Sequence, residues 1–223
     1  MAGGDEKKMA REPRGSRRKR ETRTRLVDAA FRLMAIRGMR GVTISEITEE
    51  ADVGIGSFYN HFDSKESIHA AIVEDFFERF ANILERLARD VDDPAEVIAV
   101  SVRHAILRAQ REPLWGRFLL REGFTPRALD RGLGARLMRD IHIGIETGRL
   151  RSPDPVMSFV AAGSCVLGAI SLQIDMADHG EVADSKNIPE RAAATVLHGL
   201  GLSFDKAAAI SKRPLPEWDI GAT

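Results

Sequence analysis

The segment TISEITEEADVGIGSFYNHFDSKE, residues 43–66, decides how the rest of this sequence is interpreted. It opens with Thr43 and has Glu46 three residues later, which is the spacing of a capping box. In that motif the Thr43 hydroxyl accepts a hydrogen bond from the backbone N–H of Glu46, and the Glu46 carboxylate accepts one from the N–H of Thr43. The segment therefore predicts a short helix over residues 44–51.

A tight turn and a second short helix follow within the same segment. Asp52-Val53-Gly54 is typical of a turn, and Gly54 can adopt the non-helical backbone of the next N-cap. The second helix is predicted over residues 55–61. Two short helices joined by such a turn indicate a helix-turn-helix, in which the second helix enters the major groove of DNA.

The side chains of the second helix suit contact with a duplex. Gly54 and Gly56 carry no side chain that would hold the helix away from DNA, and Ser57 and Asn60 can bond base edges or phosphates. Donors that suit phosphate oxygens are supplied by Tyr59, His61 and Lys65. Each of these residues alone could be an ordinary surface or core residue, so the hypothesis depends on their combination in one short segment.

Helical periodicity continues on both sides of this segment. Five apolar residues on one face predict a first helix from about residue 17: Leu26, Ala29, Ala30, Leu33 and Met34. Asp63 or Ser64 is predicted to cap a long fourth helix. Further helices are predicted over residues 94–111, 113–123, 126–147, 153–177 and 189–211, and no alternating strand pattern is present.

Residues 43–66 resemble the signature of the TetR family of transcriptional regulators. The matching elements are the capped helix 43–51, Val53, Gly56-Ser57-Phe58-Tyr59, His61-Phe62 and Ser64-Lys65-Glu66. The preceding stretch LVDAAFRLMAIRG, residues 26–38, looks like the family's first helix, so the resemblance covers about residues 20–75. It implies an all-α fold, with an N-terminal three-helix DNA-binding domain containing the helix-turn-helix, followed by a larger helical ligand-binding and dimerisation domain.

The resemblance also implies which residues contact DNA. The positions that usually contact phosphates are occupied by Thr43, Tyr59, His61 and Lys65. The positions that face base edges are occupied by Ser45, Ile55, Gly56, Ser57 and Asn60. The sequence departs from the family at Asp52, where glycine is frequent, and at Gly54, where serine is common, so the recognition helix lacks a cap hydroxyl. Ile55 offers apolar contact alone, such as to a thymine methyl.

The charge distribution adds a basic N-terminus to this interpretation. The chain has 223 residues and a net charge of +0, yet residues 1–25 carry ten Lys or Arg and four acids. A disordered basic arm is predicted over residues 1–16, and four cations are predicted to precede the first helix and to enter an adjacent minor groove: Arg17, Arg18, Lys19 and Arg20. A solvated tail without a role is the alternative for this arm.

The remaining domain boundaries follow from the helical pattern. The helix-turn-helix domain is predicted over residues 17–66, the ligand-binding and dimerisation domain over 67–212, and a C-terminal tail over 213–223. A pocket between bundle helices is a favoured ligand site, and bulky or polar residues there are candidates to bind a small apolar or aromatic effector. These residues are His104, Trp115, Phe118, Arg121, Phe124, Leu137, Ile141 and His142. Each of them could equally be core.

Residues 156–174 contain no charge, which satisfies the length rule for a membrane span. They also contain serine and glycine and have no Trp or Tyr at either end, so a subunit interface is the preferred interpretation. A two-fold homodimer is predicted, with an interface formed by Val160, Gly163, Leu167, Ile170, Val196 and Leu200. The alternative function is a helical interaction or membrane-surface module whose basic arm binds anionic lipid.

Enzymatic function has no support in the motifs. The sequence lacks a phosphate-binding loop, a dinucleotide glycine fingerprint and a nucleophile elbow. The six histidines show no zinc spacing with the single cysteine, Cys165, so no metal and no cofactor are predicted. One cysteine excludes an internal disulfide and fits a reducing compartment. The sequence thus predicts a cytoplasmic, ligand-responsive regulator, a repressor by family resemblance, whose partners are an operator duplex, a second copy and a small effector.

Overall fold

The computed structural model describes residues 14–125, 132–179 and 186–218, which form α-helices and one 3₁₀ turn and contain no strand. We number the helices α1 (Arg14–Arg37), α2 (Ile44–Glu50), α3 (Ile55–Tyr59), α4 (Lys65–Leu87), α5 (Pro94–Arg111), α6 (Pro113–Glu122), α7 (Gly132–Glu146), α8 (Pro155–His179), α9 (Ile188–Gly199) and α10 (Phe204–Ser211). The all-α prediction is confirmed. The chain divides into two compact units, Met1–His69 and Ala70–Thr223.

The first unit is built around the apolar face of α1. Leu26, Ala30 and Met34 are at most 1% exposed, and Phe58 of α3 is fully buried in the same unit. The capping box forms as predicted, because Thr43 Oγ1 accepts from Glu46 N and Glu46 Oε2 accepts from Thr43 N at 2.8 Å. Burial of a large apolar side chain contributes about 1.5–3 kcal/mol, so this core fixes α1, α2 and α3 together.

The basic residues near the N-terminus lie inside α1, which corrects the prediction that they precede the first helix. The helix begins at Arg14, so Arg17, Arg18, Lys19 and Arg20 form its first turns, and residues 1–13 lie outside the described residues. An ion pair of 2.7 Å between Arg17 and Glu21, one turn apart, supports the helix here. A helix about 10–12 Å across is too wide for a minor groove of about 6 Å.

In the second unit, α5 is the central helix and contacts α6, α7, α8, α9 and α10. Its buried residues include Ile98, Val102 and Ile106, spaced three to four apart as a buried helix face requires. The predicted bounds of α5 are confirmed. Residues 126–131, at the start of the helix predicted over 126–147, lie outside the described part, and α7 covers the rest.

The single helix predicted over residues 189–211 is wrong, because the chain turns between α9 and α10. Gly201 there has φ +91°, a left-handed conformation that side chains with a Cβ rarely adopt. A Cβ at Gly201 would lie 2.7 Å from the carbonyl oxygen of Arg151. The backbone N–H of Arg151 donates to Leu200 O at 2.8 Å, so the break is held by a long-range contact.

Helix α8 is unusually apolar and unusually exposed. It is the one described helix that is long and apolar enough to cross a membrane by length and composition, and 17% of its apolar window is buried within the chain. Its exposed positions include Met157, Ala161, Ser164, Gly168 and Leu172. These residues recur every three or four positions, so they form one continuous face of the helix.

Candidate functional site

The surface of α3 that faces solvent carries the residues predicted to face base edges. Ile55 and Tyr59 are each 55% exposed, and Gly56 and Asn60 are exposed as well, whereas Phe58 is fully buried. Gly54 is the N-cap and makes no side-chain cap bond. The helix therefore presents one side to solvent while Phe58 anchors the other.

A basic cleft lies next to this surface within the first unit. Arg18, Lys19 and Thr22 of α1 line it together with Ser57, Asn60, His61 and Gly15, and its volume is about 440 Å³. The helical start of α1 thus brings two of the predicted DNA-contacting cations to the side chains of the recognition helix. Cations beside hydroxyl and amide groups are the usual ligands of a nucleic-acid backbone.

His61 lies in this cleft in a cationic environment. Partial burial lowers the pKa of its imidazole, and the charges of Lys19 and Arg23 lower it further. The neutral imidazole is therefore favoured in the free protein, since both causes disfavour a positive charge. A nearby phosphate would raise the pKa of His61, because its negative charge favours the protonated imidazole.

Two predicted phosphate contacts have structural hydrogen bonds as well. Lys65 Nζ donates to the carbonyl oxygen of Val42 at 2.8 Å, which ties the start of α4 to the segment before α2. The Thr43 hydroxyl donates to Glu46 Oε2 at 2.7 Å while it accepts from the Glu46 N–H. The ammonium of Lys65 retains further donors for a phosphate, but the Thr43 proton is already engaged. Ser45 is exposed.

The turn between α2 and α3 explains one departure from the family. Asp52 has φ +50°, in the left-handed region where glycine is frequent and aspartate is tolerated. Arg25 Nη2 lies 3.1 Å from the Asp52 carboxylate and compensates its charge. The turn therefore forms without the glycine.

The second unit contains a cavity of about 310 Å³ between α4, α5, α6, α7 and α8. Its walls are mostly apolar, with Leu84, Val102, Leu119, Phe124, Leu133, Leu137, Ile143, Phe159, Val166 and Leu167 among the lining residues. The charged residues that line it are Glu85, Arg136, Arg139 and Asp140. An apolar chamber with a few polar groups is the usual form of a small-molecule site.

The four charged residues form one network, which we call the polar quartet. Arg139 donates to Glu85 Oε1 at 2.7 Å and to Asp140 Oδ1 at 3.0 Å, and Arg136 Nε lies 3.1 Å from Glu85 Oε1. Two cations and two carboxylates balance each other. Desolvation raises the pKa of the buried Asp140 carboxyl group, although Arg139 opposes the shift. Sequence spacing could not reveal this quartet, because Glu85 and Arg139 lie 54 positions apart.

Two of the eight predicted ligand-binding residues, Phe124 and Leu137, line the cavity. The other six lie outside its lining. Trp115, Phe118 and Ile141 are buried in the core, His104 is buried beside Trp218, and Arg121 and His142 are exposed. The largest apolar side chains lie in the core of the unit and not in the cavity wall, because each helix faces the core with its most apolar side. Residue type alone does not predict which of the two a side chain will face.

Five of the six residues predicted for a dimer interface line the cavity or lie in the core of their own chain. Gly163 and Leu167 line the cavity, whereas Ile170, Val196 and Leu200 are at most 4% exposed. Val160 is half-buried. The reason is a rotation about the helix axis: the exposed stripe of α8 lies beside these positions, at Ala161, Ser164 and Gly168.

The comparisons with known proteins agree with this architecture. Residues 26–72 match the family described as "Bacterial regulatory proteins, tetR family", and residues 93–213 match "Tetracyclin repressor-like, C-terminal domain". Among curated proteins, the transcriptional repressor KstR2 of Rhodococcus jostii is 39% identical over 79 residues, which are 35% of this chain and 39% of that protein. The repressor DhaR of Mycobacterium sp. is 33% identical over 72 residues, 32% of this chain and 36% of that protein. The chain thus spans about two fifths of these curated relatives.

A solved structure extends the likeness to nearly the whole chain. The crystal structure of RolR in complex with resorcinol is 36% identical, covers 91% of this chain and 98% of the RolR chain, and has a TM-score of 0.68. The matched families describe regulators of transcription, which confirms the prediction of a regulator in place of an enzyme. On the joint evidence of both family matches and of the helix-turn-helix geometry, the chain belongs to the TetR family of bacterial transcriptional regulators.

Proposed function

We propose that this protein is a cytoplasmic repressor that binds an operator duplex as a homodimer and leaves it when a small molecule enters the cavity of the second unit. The observation that carries the proposal is the capped helix-turn-helix with its exposed α3 face beside a basic cleft. The repressors KstR2 and DhaR, which match 35% and 32% of this chain, support repression in preference to activation.

The DNA contacts divide into two groups by chemistry. Asn60, Ser57 and Ile55 on the exposed side of α3 suit base edges, and Ser45 and Gly56 complete this surface. Phosphates are assigned to Tyr59, His61 and Lys65, joined by the cations Arg17, Arg18, Lys19 and Arg20 along the start of α1. Thr43 joins them if its hydroxyl proton turns from Glu46 to a phosphate oxygen. The lipid-binding alternative is not favoured. Binding to a lipid surface does not require the capping box of α2, nor the glycines Gly54 and Gly56 that let α3 approach a duplex closely.

The homodimer is assigned to the exposed stripe of α8. Met157 and Leu172 lie near its ends and Ala161, Ser164 and Gly168 lie between them, so a second α8 could approach closely. A Cβ at Gly168 would meet no atom within 4 Å, which means that the space there is open in one chain. A helix with 17% of its most apolar window buried needs another surface to cover it. A second copy of this chain is the occupant that we propose, because two recognition helices read a two-fold operator.

The effector is assigned to the class of uncharged aromatic compounds that carry hydroxyl groups. The apolar walls fit a ring, and the polar quartet has no net charge to attract an anion. The carboxylate of Asp140 can accept a hydrogen bond from a hydroxyl group. Arg136 Nε is buried and, although it lies 3.1 Å from Glu85 Oε1, makes no hydrogen bond in the described part of the chain. RolR, which has 36% identity, is known with resorcinol, a compound of this class.

The effector assignment is tested by calorimetry with resorcinol and benzoate as probes. Wild-type protein is expected to bind resorcinol at least about tenfold more tightly than benzoate, since the quartet offers benzoate no unpaired cation. Asp140→Asn leaves the quartet with a net positive charge, so it should weaken resorcinol and strengthen benzoate. Asp75→Asn is the matched control, because Asp75 pairs with Arg79 on the exposed side of α4. A preference for benzoate in the wild type would overturn the assignment.

Operator binding is tested against lipid binding in the same buffer. We expect the protein to bind the duplex upstream of its own coding sequence at least about 10³-fold more tightly than a shuffled duplex, in the range of specific regulators. Vesicles of phosphatidylglycerol serve as the lipid probe. Binding to vesicles without preference for either duplex would refute the proposed function and support the alternative.

A further inference from the structure

A short segment follows α10, the last helix in the described part of the chain. Residues 212–218, which we call the C-terminal strap, follow α10 without helical structure and lie back along α5. Arg103 Nη1 donates to Arg213 O at 2.6 Å, the Arg213 guanidinium pairs with Glu96, and the His104 ring centroid lies 6.1 Å from that of Trp218. The strap is thus attached to α5 at three successive points.

Arg103 is a rigid anchor for the strap. Its side chain is buried, and its second terminal nitrogen, Nη2, donates to Glu190 of α9 at 3.0 Å. A buried guanidinium that Glu190 already holds loses little further freedom when the strap binds. The strap therefore docks onto a preformed donor.

The strap ends in an aromatic contact with α4. The Trp218 ring centroid lies 5.7 Å from that of Phe80 and 5.4 Å from the guanidinium carbon of Arg108. The same guanidinium carbon lies 5.0 Å from the Phe80 centroid and 4.7 Å from that of Trp115. Arg108 of α5 is therefore enclosed by rings from α4, α6 and the strap. Cation–π attraction of this kind is strongest where water is excluded.

Through Phe80, this contact acts on α4 close to the cavity wall. Phe80 lies one turn before Leu84 and Glu85, two cavity-lining residues of α4. Helix α4 also contains the boundary between the two compact units. Any restraint on Phe80 is thus a restraint on the helix that carries both the cavity wall and the connection to the helix-turn-helix.

We propose that the C-terminal strap is a clamp in which Trp218 acts as a positioning residue: it holds α4 against α5 through Phe80 and Arg108 and thereby restrains the effector response. The clamp itself does not depend on the proposed function. Its effect on the response rests on that function, because it requires that the effector acts through α4.

The clamp is tested by hydrogen exchange of residues 70–87 in three full-length variants. Trp218→Ala should raise exchange in this part of α4 by at least about fivefold, since it removes a ring from the cage around Arg108. Trp218→Phe keeps an aromatic ring there and should exchange as the wild type does. Glu217→Ala is the surface control, because Glu217 is the exposed neighbour of Trp218.

Fluorescence gives a second measurement on the same variants. The chain has two tryptophans, so both Trp218 variants report Trp115 alone. Trp115 is 2% exposed, and acrylamide should quench it at least about twice as efficiently in Trp218→Ala as in Trp218→Phe if the cage opens. A thermal melt of each variant verifies that it is folded. If Trp218→Ala does not fold, deletion of residues 213–223 is measured in its place, and failure of both variants to fold would mean that the strap is part of the core and would overturn the clamp.

Unchanged exchange and unchanged quenching in a folded Trp218→Ala variant would also overturn the clamp, whatever the protein's function. The response is measured separately as the resorcinol concentration that releases half of the bound upstream duplex. Because the clamp opposes movement of α4, this concentration should fall about three- to tenfold in Trp218→Ala and remain unchanged in Trp218→Phe. Faster exchange in α4 of Trp218→Ala would support the clamp even if resorcinol released no duplex from the wild-type protein. That second result would refute the effector assignment alone.

Discussion

Asn60 is the residue on which sequence readout by α3 depends most directly. It is exposed on α3, lines the basic cleft and carries an amide that can pair with a base edge. Asn60→Ala should cost about 1–3 kcal/mol against the preferred base pair and leave binding to random DNA almost unchanged. Competition titrations with single-base operator variants measure this. An equal loss on operator and random DNA would assign Asn60 to the phosphate contacts.

Lys65 should behave in the opposite way. Lys65→Ala is expected to weaken binding to all sequences and to reduce the slope of log affinity against log salt by about one. Because Lys65 also donates to Val42 O, the variant should in addition unfold at a lower temperature. Lys19→Ala is a useful comparison, since Lys19 is exposed and should change the salt slope without that loss. An unchanged slope for both variants would contradict the assignment.

His61 makes operator binding dependent on pH. Its pKa is lowered from 6.5 in the free protein, so the imidazole is mostly neutral at pH 7, and a phosphate beside it would raise that pKa. Binding should therefore take up protons, at most one per subunit from His61, and affinity should rise as pH falls from 8 to about 6. Titrations at several pH values measure the dependence, and His61→Gln should remove it. The same slope in both proteins would refute the role of His61.

At the scale of single residues, sequence predicted the surface better than the interior. The glycines at the start of α3 and the polar positions of this helix lie close together in the sequence, so a sequence motif can predict them. The polar quartet and the cage around Arg108 join residues far apart in the chain, such as Glu85 with Arg139 and Phe80 with Trp218. His104 and Trp115 were predicted to line the pocket from their residue types alone, whereas in the structure both are buried in the core.

At the scale of elements, α2 depends on its capping box. Thr43→Ala removes the hydroxyl that bonds Glu46 and should destabilise the first unit by about 0.5–2 kcal/mol, measured by urea unfolding. Bonds from Arg37 and Thr43 lower the Glu46 pKa from 4.5 to about 2. Their stabilisation is present above pH 4.5 and is lost as pH falls toward 2, so the deficit of the variant should shrink over this range. A deficit independent of pH would contradict the motif's contribution.

Element boundaries were predictable where local chemistry sets them. Pro94 and Asp93 define the start of α5, and the observed start agrees with the predicted one. The break at Gly201 was missed, because glycine also occurs within helices and the contact with Arg151 that fixes the turn is distant in sequence. The start of α1 was placed too late for a similar reason: a run of cations suggests an arm, yet arginine is a good helix former.

At the scale of the whole molecule, the exposed stripe of α8 should hold two copies together. Gly168→Arg places a charge on this stripe, where one chain has open space, and should convert the dimer to a monomer with little loss of stability in each chain. Light scattering and thermal melts measure both. Gly163→Arg is the comparison, because its side chain would meet Phe124 within the chain and should damage the cavity first. A dimeric Gly168→Arg protein with full operator affinity would place the interface elsewhere.

We propose that one molecule joins operator recognition to effector release, and footprinting of the DNA upstream of its own coding sequence tests this coupling most directly. We expect a two-fold symmetric protected site, with half-sites about 34–36 Å apart or slightly more, that loses its protection as resorcinol is added. A single asymmetric half-site at saturation, or symmetric protection that resorcinol leaves unchanged at any concentration, would contradict it.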